Sequence, residues 1–370
     1  VLNAQLKAIG SRQRASADSV VAAKALDLPA GYECQTTSYW SGWAATVQGP
    51  TGGAAYRVVT KAEHDVIRDT STVDEVRDHT MANGNVLLLP YKRPRLTHLG
   101  AKNDGVTNDY AAIQFALTNG LKVKATPGNY FLESGLLAGV CGAEMVAKHP
   151  GARNNQLSDN GVNFIYDSAV TDPALTIGGV PGSGSQSSGF DNSEDLLFEG
   201  INFRAESQDV AGPGILMDGS DTDATYGSTR GIVRGVVFRD CSTRWFSGRQ
   251  WHLKGNVFDV TMYNCVGRLG YHTIFETETS TVNVGVVRPG QIDCFGCRFY
   301  GPDRGGAGVF ATAWTARASY VNFWGGVLQG HWILEAGFHC GVYGSHIEAD
   351  PGANTNVCVQ IIGKSVRLYP

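Results

Sequence analysis

The sequence is poor in charge and has no long apolar run. Asp, Glu, Lys and Arg make up 17% of its 370 residues and balance to a net charge of −4. That excludes the strongly basic surface of a duplex nucleic-acid binder, so no nucleic-acid partner is expected. No apolar stretch approaches the roughly 20 residues a membrane-spanning helix needs, so no membrane insertion is expected either. The phosphate-cradling G-x-x-x-x-G-K-[ST] pattern is absent, and no segment has EF-hand spacing. The C-x-x-C spacing occurs once, at Cys294 and Cys297, without a second pair or a histidine at zinc-ligand distance. The eight cysteines therefore read as free thiols buried as small hydrophobes. No metal and no cofactor is expected. No secretory signal is visible. The chain opens on Val1 and not Met, which points to a processed or trimmed N-terminus.

What the sequence does have is glycine, 47 residues of it. Low charge with abundant glycine is the profile of an all-β protein with many tight turns. Residues 1–27 are Ala-rich and polar, and predict a helical neck whose thin apolar stripe would be buried between identical chains. Residues 28–98 predict a small β-rich domain, with a turn and alternating strand in "GPTGGAAYRVV" and an Asn-Gly hairpin signal in "ANGNVLLLP".

From residue 196 a degenerate repeat emerges. It reads "LLFEGI", "VVFRDC", "VTMYNC", "IDCFGC", "VNFWGG" and "CGVYGS", starting at Leu196, Val236, Val260, Ile292, Val321 and Cys340. The starts are 40, 24, 32, 29 and 19 residues apart, so loops of varying length separate constant units. Positions one and three are apolar or Cys. Position five is Gly200, Asp240, Asn264, Gly296, Gly325 or Gly344, the residue types that most readily take left-handed backbone angles. The pattern predicts a parallel β-helix over residues 99–370: positions one and three point inward, position five turns the corner, and position six points inward again. Cys241, Cys265 and Cys297 would share one interior column.

The outward columns follow. Position four ends in four aromatics, Tyr263, Phe295, Trp324 and Tyr343. These predict either a protein interface or a sugar-stacking platform. Position nine begins with Arg204, Arg244 and Arg268. These predict either a solvated face or a track for an acidic polymer.

"HLGAKNDGVTNDYAAIQFAL", followed by "VKATPGNYFL", resembles the entry to pectate-lyase-type right-handed single-stranded β-helices. Asn103 and Asn108 stand where that family usually has Gly and Asp. The stretch "AKALDLPAGYECQTTSYWSGWAATVQGPTGGAAYRVV" is similar to the small domain that precedes the β-helix in bacteriophage tailspikes. The entry motif predicts a capping helix near 108–118, with Thr107 or Asn108 at its start and an apolar face of Ala112, Ile113, Ala116 and Leu117.

The resemblance to tailspike and capsule depolymerases implies a virion protein of the phage tail acting extracellularly on the host surface. It implies a homotrimer that binds and cleaves bacterial surface polysaccharide, and an N-terminal region that meets other tail proteins. Hydrolysis of a glycosidic bond needs two carboxyl groups. "HTIFETETS" supplies Glu276 and Glu278 on one strand face, with Tyr271 and His272 just before them and Asp293 on the following strand. The preceding loop adds Arg244, Trp245, Trp251 and His252, and the neighbouring column adds Arg268. Trp and Tyr offer flat faces to sugar rings, and Arg offers a fork to carboxylates. Glu335, with Glu348 and the histidines 331, 339 and 346, is a second candidate. A lyase using Arg with Tyr or His, and a binding protein without catalysis, remain open alternatives. The last segment, "GKSVRLYP", carries no evident cap for the final rung, which predicts further protein or a partner chain over that edge.

Overall fold

A computed structural model describes residues 13–43, 51–139, 141–147, 161–178, 193–207, 212–219, 233–268, 274–278, 280–282, 285–287, 289–300, 314–315, 318–329, 332–348, 359–363 and 366–369. Its N-terminal part is a five-stranded sheet in the order Arg14–Ala17, Glu33–Thr36, Ala55–Val59, Val86–Leu88, His79–Thr80. The first pair is parallel and the rest antiparallel. Two helices accompany it. Helix α1 (Val20–Lys24) starts on Ser19, whose hydroxyl accepts from the Ala22 amide. Helix α2 (Lys61–Arg68) opens on a reciprocal capping box between Thr60 and Glu63. The expected helical neck over 1–27 is corrected for its described part. Arg14–Ala17 finds a free strand edge at Glu33–Thr36 and pairs with it, and the helix that follows is five residues long. Residues 1–12 lie outside the described residues.

His98 lies in the short helical turn Leu96–Leu99 that precedes the first strand of the β-helix. It is 8% exposed, and its Nδ1 accepts from the Arg95 amide at 3.3 Å. Burial, reinforced by the Arg95 charge, pushes its pKa down to about 4. A histidine depressed in the folded state favours folding above the unfolded pKa of roughly 6.5 and loses that contribution as pH falls through the folded value. Stability is therefore expected to drop by up to about 3 kcal/mol between pH 6.5 and 4 from this ring. Denaturant titrations at both pH values check it: His98→Gln, which keeps an acceptor without a titrating ring, should lessen the drop, while buried His79, also pushed down to about 4, keeps its own share.

The β-helix has three parallel faces. The first runs from Lys122–Ala125 through Glu144–Ala147, Leu197–Glu199, Val237–Arg239, Val257–Tyr263, Gly290–Phe295 and Ala318–Trp324 to Trp332–Tyr343. The second has nine strands, from Asp104–Asn108 to His346–Glu348. The third has five, Leu136–Ala138, Leu175–Gly178, Ile215–Gly219, Trp251–Gly255 and Phe275–Glu278. Helix α3 (Tyr110–Thr118) covers the first rung with Ala112, Ile113, Ala116 and Leu117 buried. The expected cap is refined. Asp109 holds the first position, but its buried carboxyl turns back to accept from the amides of Lys102 (2.6 Å) and Asn103 (2.9 Å). The Asn108 side chain takes the Tyr110 amide instead.

Every fifth position of the repeat is left-handed: Gly200, Asp240, Asn264, Gly296, Gly325 and Gly344 have φ between 51° and 73°. Four successive rungs carry a second left-handed residue just before position one, at Asp195, Gly235, Asp259 and Gln291, with φ from 51° to 67°. This second corner was legible as Asp or Gly in three of the four. Inside, Cys241, Cys265 and Cys297 are buried free thiols in one column, with Cys294 beside them. Burial drives the Cys241 thiol up to about 12, so it is an inert hydrophobe and not a nucleophile. Among the described cysteines Cys141 departs from the expectation, being exposed. Cys340 and Cys358 lie outside the described side chains.

Aromatic pairs fill the interior, including Phe198 stacked on Phe238 at 5.2 Å and Phe238 edge-on to Trp251 at 5.1 Å. On the second face Asn129, Asn163, Asn202 and Ser242 form an amide ladder. Each side chain hydrogen-bonds the next, at 2.9, 3.1 and 2.7 Å. The recurring "N-F" of "VNFIY" and "INFRA" was its trace in the sequence.

The position-four column resolves into an outer spine. Glu199 pairs with Arg239, and Arg239 lies 5.5 Å over the Tyr263 ring. Tyr263, Phe295, Trp324 and Tyr343 then stack ring on ring at 5.2, 6.1 and 4.0 Å, with interplanar angles of 15°, 12° and 9°. Phe295 and Trp324 each have a ring stacked on both sides, and the outer side of Tyr263 faces Arg239. A sugar ring needs an open face, so this geometry disfavours the stacking-platform reading. Trp324→Ala is expected to cost about 1–3 kcal/mol, two ring pairs at ~0.5–1.5 each. Urea unfolding checks it, with polysaccharide binding unchanged.

Candidate active site on the third face

Strand alternation decides which side chains reach the surface. In Trp251–Gly255, Trp251 and Leu253 are fully buried, leaving His252 and Lys254 outward. In Phe275–Glu278, Phe275 and Thr277 are buried and Glu276 and Glu278 point out. The two strands pair with His252 opposite Glu276 and Lys254 opposite Glu278. Stacking thus brings the imidazole of one rung to the carboxylates of the next.

The contacts are short. His252 Nε2 lies 2.9 Å from Glu278 Oε2. Arg249 donates from Nε to Glu276 Oε2 at 2.6 Å, and its second nitrogen lies 3.5 Å from Glu278. Burial, then the Arg249 charge, lowers the His252 pKa below the ordinary histidine range, so the ring is neutral at pH 7. One rung back, Asp218 lies 3.7 Å from Lys254. One ligand atom from each of His252, Glu276 and Glu278 falls within 4.8 Å of the others, a spacing a cation could use. Arg249 already supplies positive charge to both carboxylates.

The connection from the second face to the third carries the rest. Arg204, Arg244 and Arg268 stand in register on successive rungs. Trp245 follows Arg244 with φ of +67°, a left-handed angle that is a clear outlier for so bulky a residue. Its ring lies 4.5 Å from the Arg244 guanidinium carbon and 5.6 Å from that of Arg204. Gln250, fully buried, ties the connection down. Its Oε1 accepts from the Thr243 hydroxyl (2.8 Å) and the Arg268 amide (3.0 Å), and its Nε2 donates to the Arg268 carbonyl (2.8 Å).

The expected site residues divide. The structure brings together Glu276, Glu278 and His252 at one cluster, and Arg244, Trp245 and Arg268 along one connection. Trp251 is corrected: it is an interior residue, fully buried, with its indole 3.2 Å from where a Cβ on Gly267 would stand, and offers no face to a sugar. Asp293 sits on the first face, where Asn322 (3.0 Å) and Trp324 (3.3 Å) donate to it. There it lines an open cleft of about 750 Å³ with Asp259, Gln291 and Tyr320, and it is not a partner of the two glutamates. Glu335 lies on a first-face strand, but its side chain, like that of Glu348, is outside the described residues. Tyr271 and His272 are outside them as well. Sequence reasoning missed Arg249 and Gln250. Their signal was position alone, in "RWFSGRQWH" between the arginine column and His252.

Comparison with known proteins bears on the fold. No protein-family model matches the sequence, and no curated protein matches it. Solved structures do match. The enzymatically active domain of tailspike protein 4 from bacteriophage CBA120 superposes with a TM-score of 0.61 at 15% identity, over 96% of this chain and 45% of that one. The corresponding domain of tailspike protein 2 from the same phage gives 0.56 at 11% identity, over 99% and 59%. Pantoea stewartii WceF, a glycan biofilm modifying enzyme with a tailspike-like parallel β-helix, gives 0.54 at 11% identity, over 96% and 49%. The chain spans about half the length of these structures, and shares with them the tailspike type of parallel β-helix.

Proposed function

We propose that this chain binds and cleaves a bacterial surface polysaccharide by glycosidic hydrolysis, with Glu276 and Glu278 as the carboxyl pair. The observation that carries the reading is the cluster itself: two outward carboxylates two residues apart, one clamped by Arg249 and the other bonded to a neutral His252. Arg249 donates to Glu276 Oε2 at 2.6 Å and so orients that carboxylate as the nucleophile. Glu278, in contact with His252 Nε2 at 2.9 Å, is the general acid: its carboxyl gives a proton to the leaving oxygen, and the resulting carboxylate then takes a proton from the attacking water. One oxygen of Glu276 and one of Glu278 lie within 4.8 Å of each other, which leaves less room than the ~6.5–9.5 Å spacing that admits an inverting water, so the anomeric configuration is expected to be retained. The fold shared with tailspikes supports a homotrimer on a phage tail, with the N-terminal sheet toward other tail proteins.

A reducing-end assay on host polysaccharide tests the reading, with the anomer of the first product read by NMR. Binding without chain shortening would leave a receptor-binding protein. One observation also favours elimination: a neutral histidine beside an arginine is the pair needed to abstract a proton next to a uronate carboxyl. Ultraviolet absorbance of an unsaturated product separates the two chemistries.

A further inference from the structure

We propose that the open cleft on the first face is a second glycan-binding site, separate from the cleavage cluster, and that it takes uncharged, hydroxyl-rich sugar residues. The class of ligand rests on the polysaccharide reading above; the place and the selectivity come from the cleft itself. Three successive first-face strands build it. Val257–Tyr263 pairs with Gly290–Phe295, which pairs with Ala318–Trp324, and this puts Thr261, Asp293 and Asn322 side by side on three rungs about 4.8 Å apart. Asp259 and Gln291 interrupt the first two strands with left-handed angles, φ of 51° and 53°. A left-handed residue within a strand bends it. The same two side chains line the cleft beside Thr261 and Asp293, and Phe258 and Tyr320 add aromatic surface on the outer two rungs. The cleft's volume of about 750 Å³ falls within the ~300–1,000 Å³ of ligand sites.

The lining decides the ligand. It holds the carboxylates of Asp259 and Asp293, the amides of Gln291 and Asn322 and the Thr261 hydroxyl, and neither lysine nor arginine. An anionic sugar would meet two like charges with no cation in the lining to offset them. A neutral sugar brings hydroxyl donors, which carboxylates accept in charge-assisted hydrogen bonds. Asp259 is exposed and pairs with no side chain among the described residues, so its oxygens are open to such donors. Asp293 is already aimed. Its Oδ1 accepts from Asn322 at 3.0 Å and from Trp324 at 3.3 Å, which leaves Oδ2 for a ligand. Asn322 is the nearer donor and keeps the carboxylate in place without the indole. Its amide turns toward Asp293 although its own Oδ1 is then buried without a hydrogen-bond partner. A buried acceptor left unpaired disfavours folding, so this orientation serves the carboxylate and not the stability of the rung. A second copy of this chain would need apolar surface to bury, and the lining is mainly polar.

The test is binding of the full chain, by biolayer interferometry, to a panel of purified capsular and O-antigen polysaccharides of known structure, neutral and acidic. Neutral glycans should be among those bound. Asp259→Asn with Asp293→Asn should weaken that binding at least about tenfold, the loss of two charge-assisted hydrogen bonds, with the melting temperature in place. Both substitutions keep the backbone: asparagine accepts the left-handed angle at 259, and an amide oxygen at 293 still accepts from Asn322 and Trp324. Cleavage of short oligosaccharides at the third face should keep its rate, while cleavage of the polymer slows. If the paired variant folds poorly, Thr261→Arg, which sets a guanidinium in register beside Asp293, should block the cleft to the same extent. Unchanged affinity in the folded variant, or binding confined to acidic glycans, overturns the first-face site and leaves the polysaccharide reading standing. Binding to no glycan in the panel overturns both. A loss of oligomer mass with affinity per chain unchanged makes the cleft an interface between copies and overturns the site. Loss of short-oligosaccharide cleavage together with binding makes the cleft the catalytic centre and overturns its separate role.

Discussion

Glu276→Gln is expected to lower depolymerisation by a factor on the order of 10³ without shifting the melting temperature. The substitution keeps shape and burial and removes the charge that Arg249 holds 2.6 Å away. Glu278→Gln should cost a similar order, on the order of 10²–10⁴, because the dyad with His252 loses its proton-transfer partner. The two differ in their rescue. Added azide or formate should partly restore Glu276→Ala, whose shortened side chain leaves room for the anion, and should leave the configuration of its product inverted. Initial rates of reducing-end release with purified substrate supply the measurement. If both variants retain activity within a factor of about three, far short of what such groups contribute, the carboxyl pair is misassigned and the Asp259–Asp293 cleft becomes the place to look.

Gly326→Ala is expected to prevent folding, whereas Gly325→Asn one residue earlier should be tolerated. Both glycines are left-handed, with φ of 66° at Gly325 and 89° at Gly326. Their surroundings differ. A Cβ on Gly325 would meet nothing within 4 Å, and asparagine accepts that region, as Asn264 does at the same corner one repeat earlier but one. A Cβ on Gly326 would stand 1.9 Å from the Cys297 carbonyl oxygen, which accepts the Val327 amide. Relief requires moving the backbone of two rungs. The expected loss exceeds about 4 kcal/mol, in the range reserved for severe core and strain defects. Soluble yield and circular dichroism of the two variants, expressed side by side, read the contrast.

Much of the scaffold was legible in the chain because a β-helix is nearly one-dimensional. Each rung repeats the same demand at the same place, so apolar alternation and a left-handed fifth residue recur along the sequence. Residues such as Asp240 and Asn264 announced the corners by type alone, and Cys241, Cys265 and Cys297 announced an interior column. The helix over 110–118 was likewise visible in its apolar spacing. The helical neck was misread over 13–27, because Arg14–Ala17 has no strand signal of its own and is extended only by the edge it pairs with.

The site was legible by halves. Glu276 and Glu278 share a face because strand geometry puts residues two apart on one side, which the sequence settles without help. That Trp251 points inward while His252 points outward depended on the phase of the strand. Nothing local to "RQWHLKG" sets that phase; the rung beneath does, through Ile215 and Met217. That Arg249 reaches both glutamates depended on the neighbouring rung's register, since Glu276 lies 27 positions further along the chain. Sequence by itself determined the repeating unit, its corners and its buried columns, since these are properties of each rung alone. Only the tertiary structure decided which columns meet across rungs, because register is fixed by contacts between strands far apart in the chain and not by residues beside one another within it.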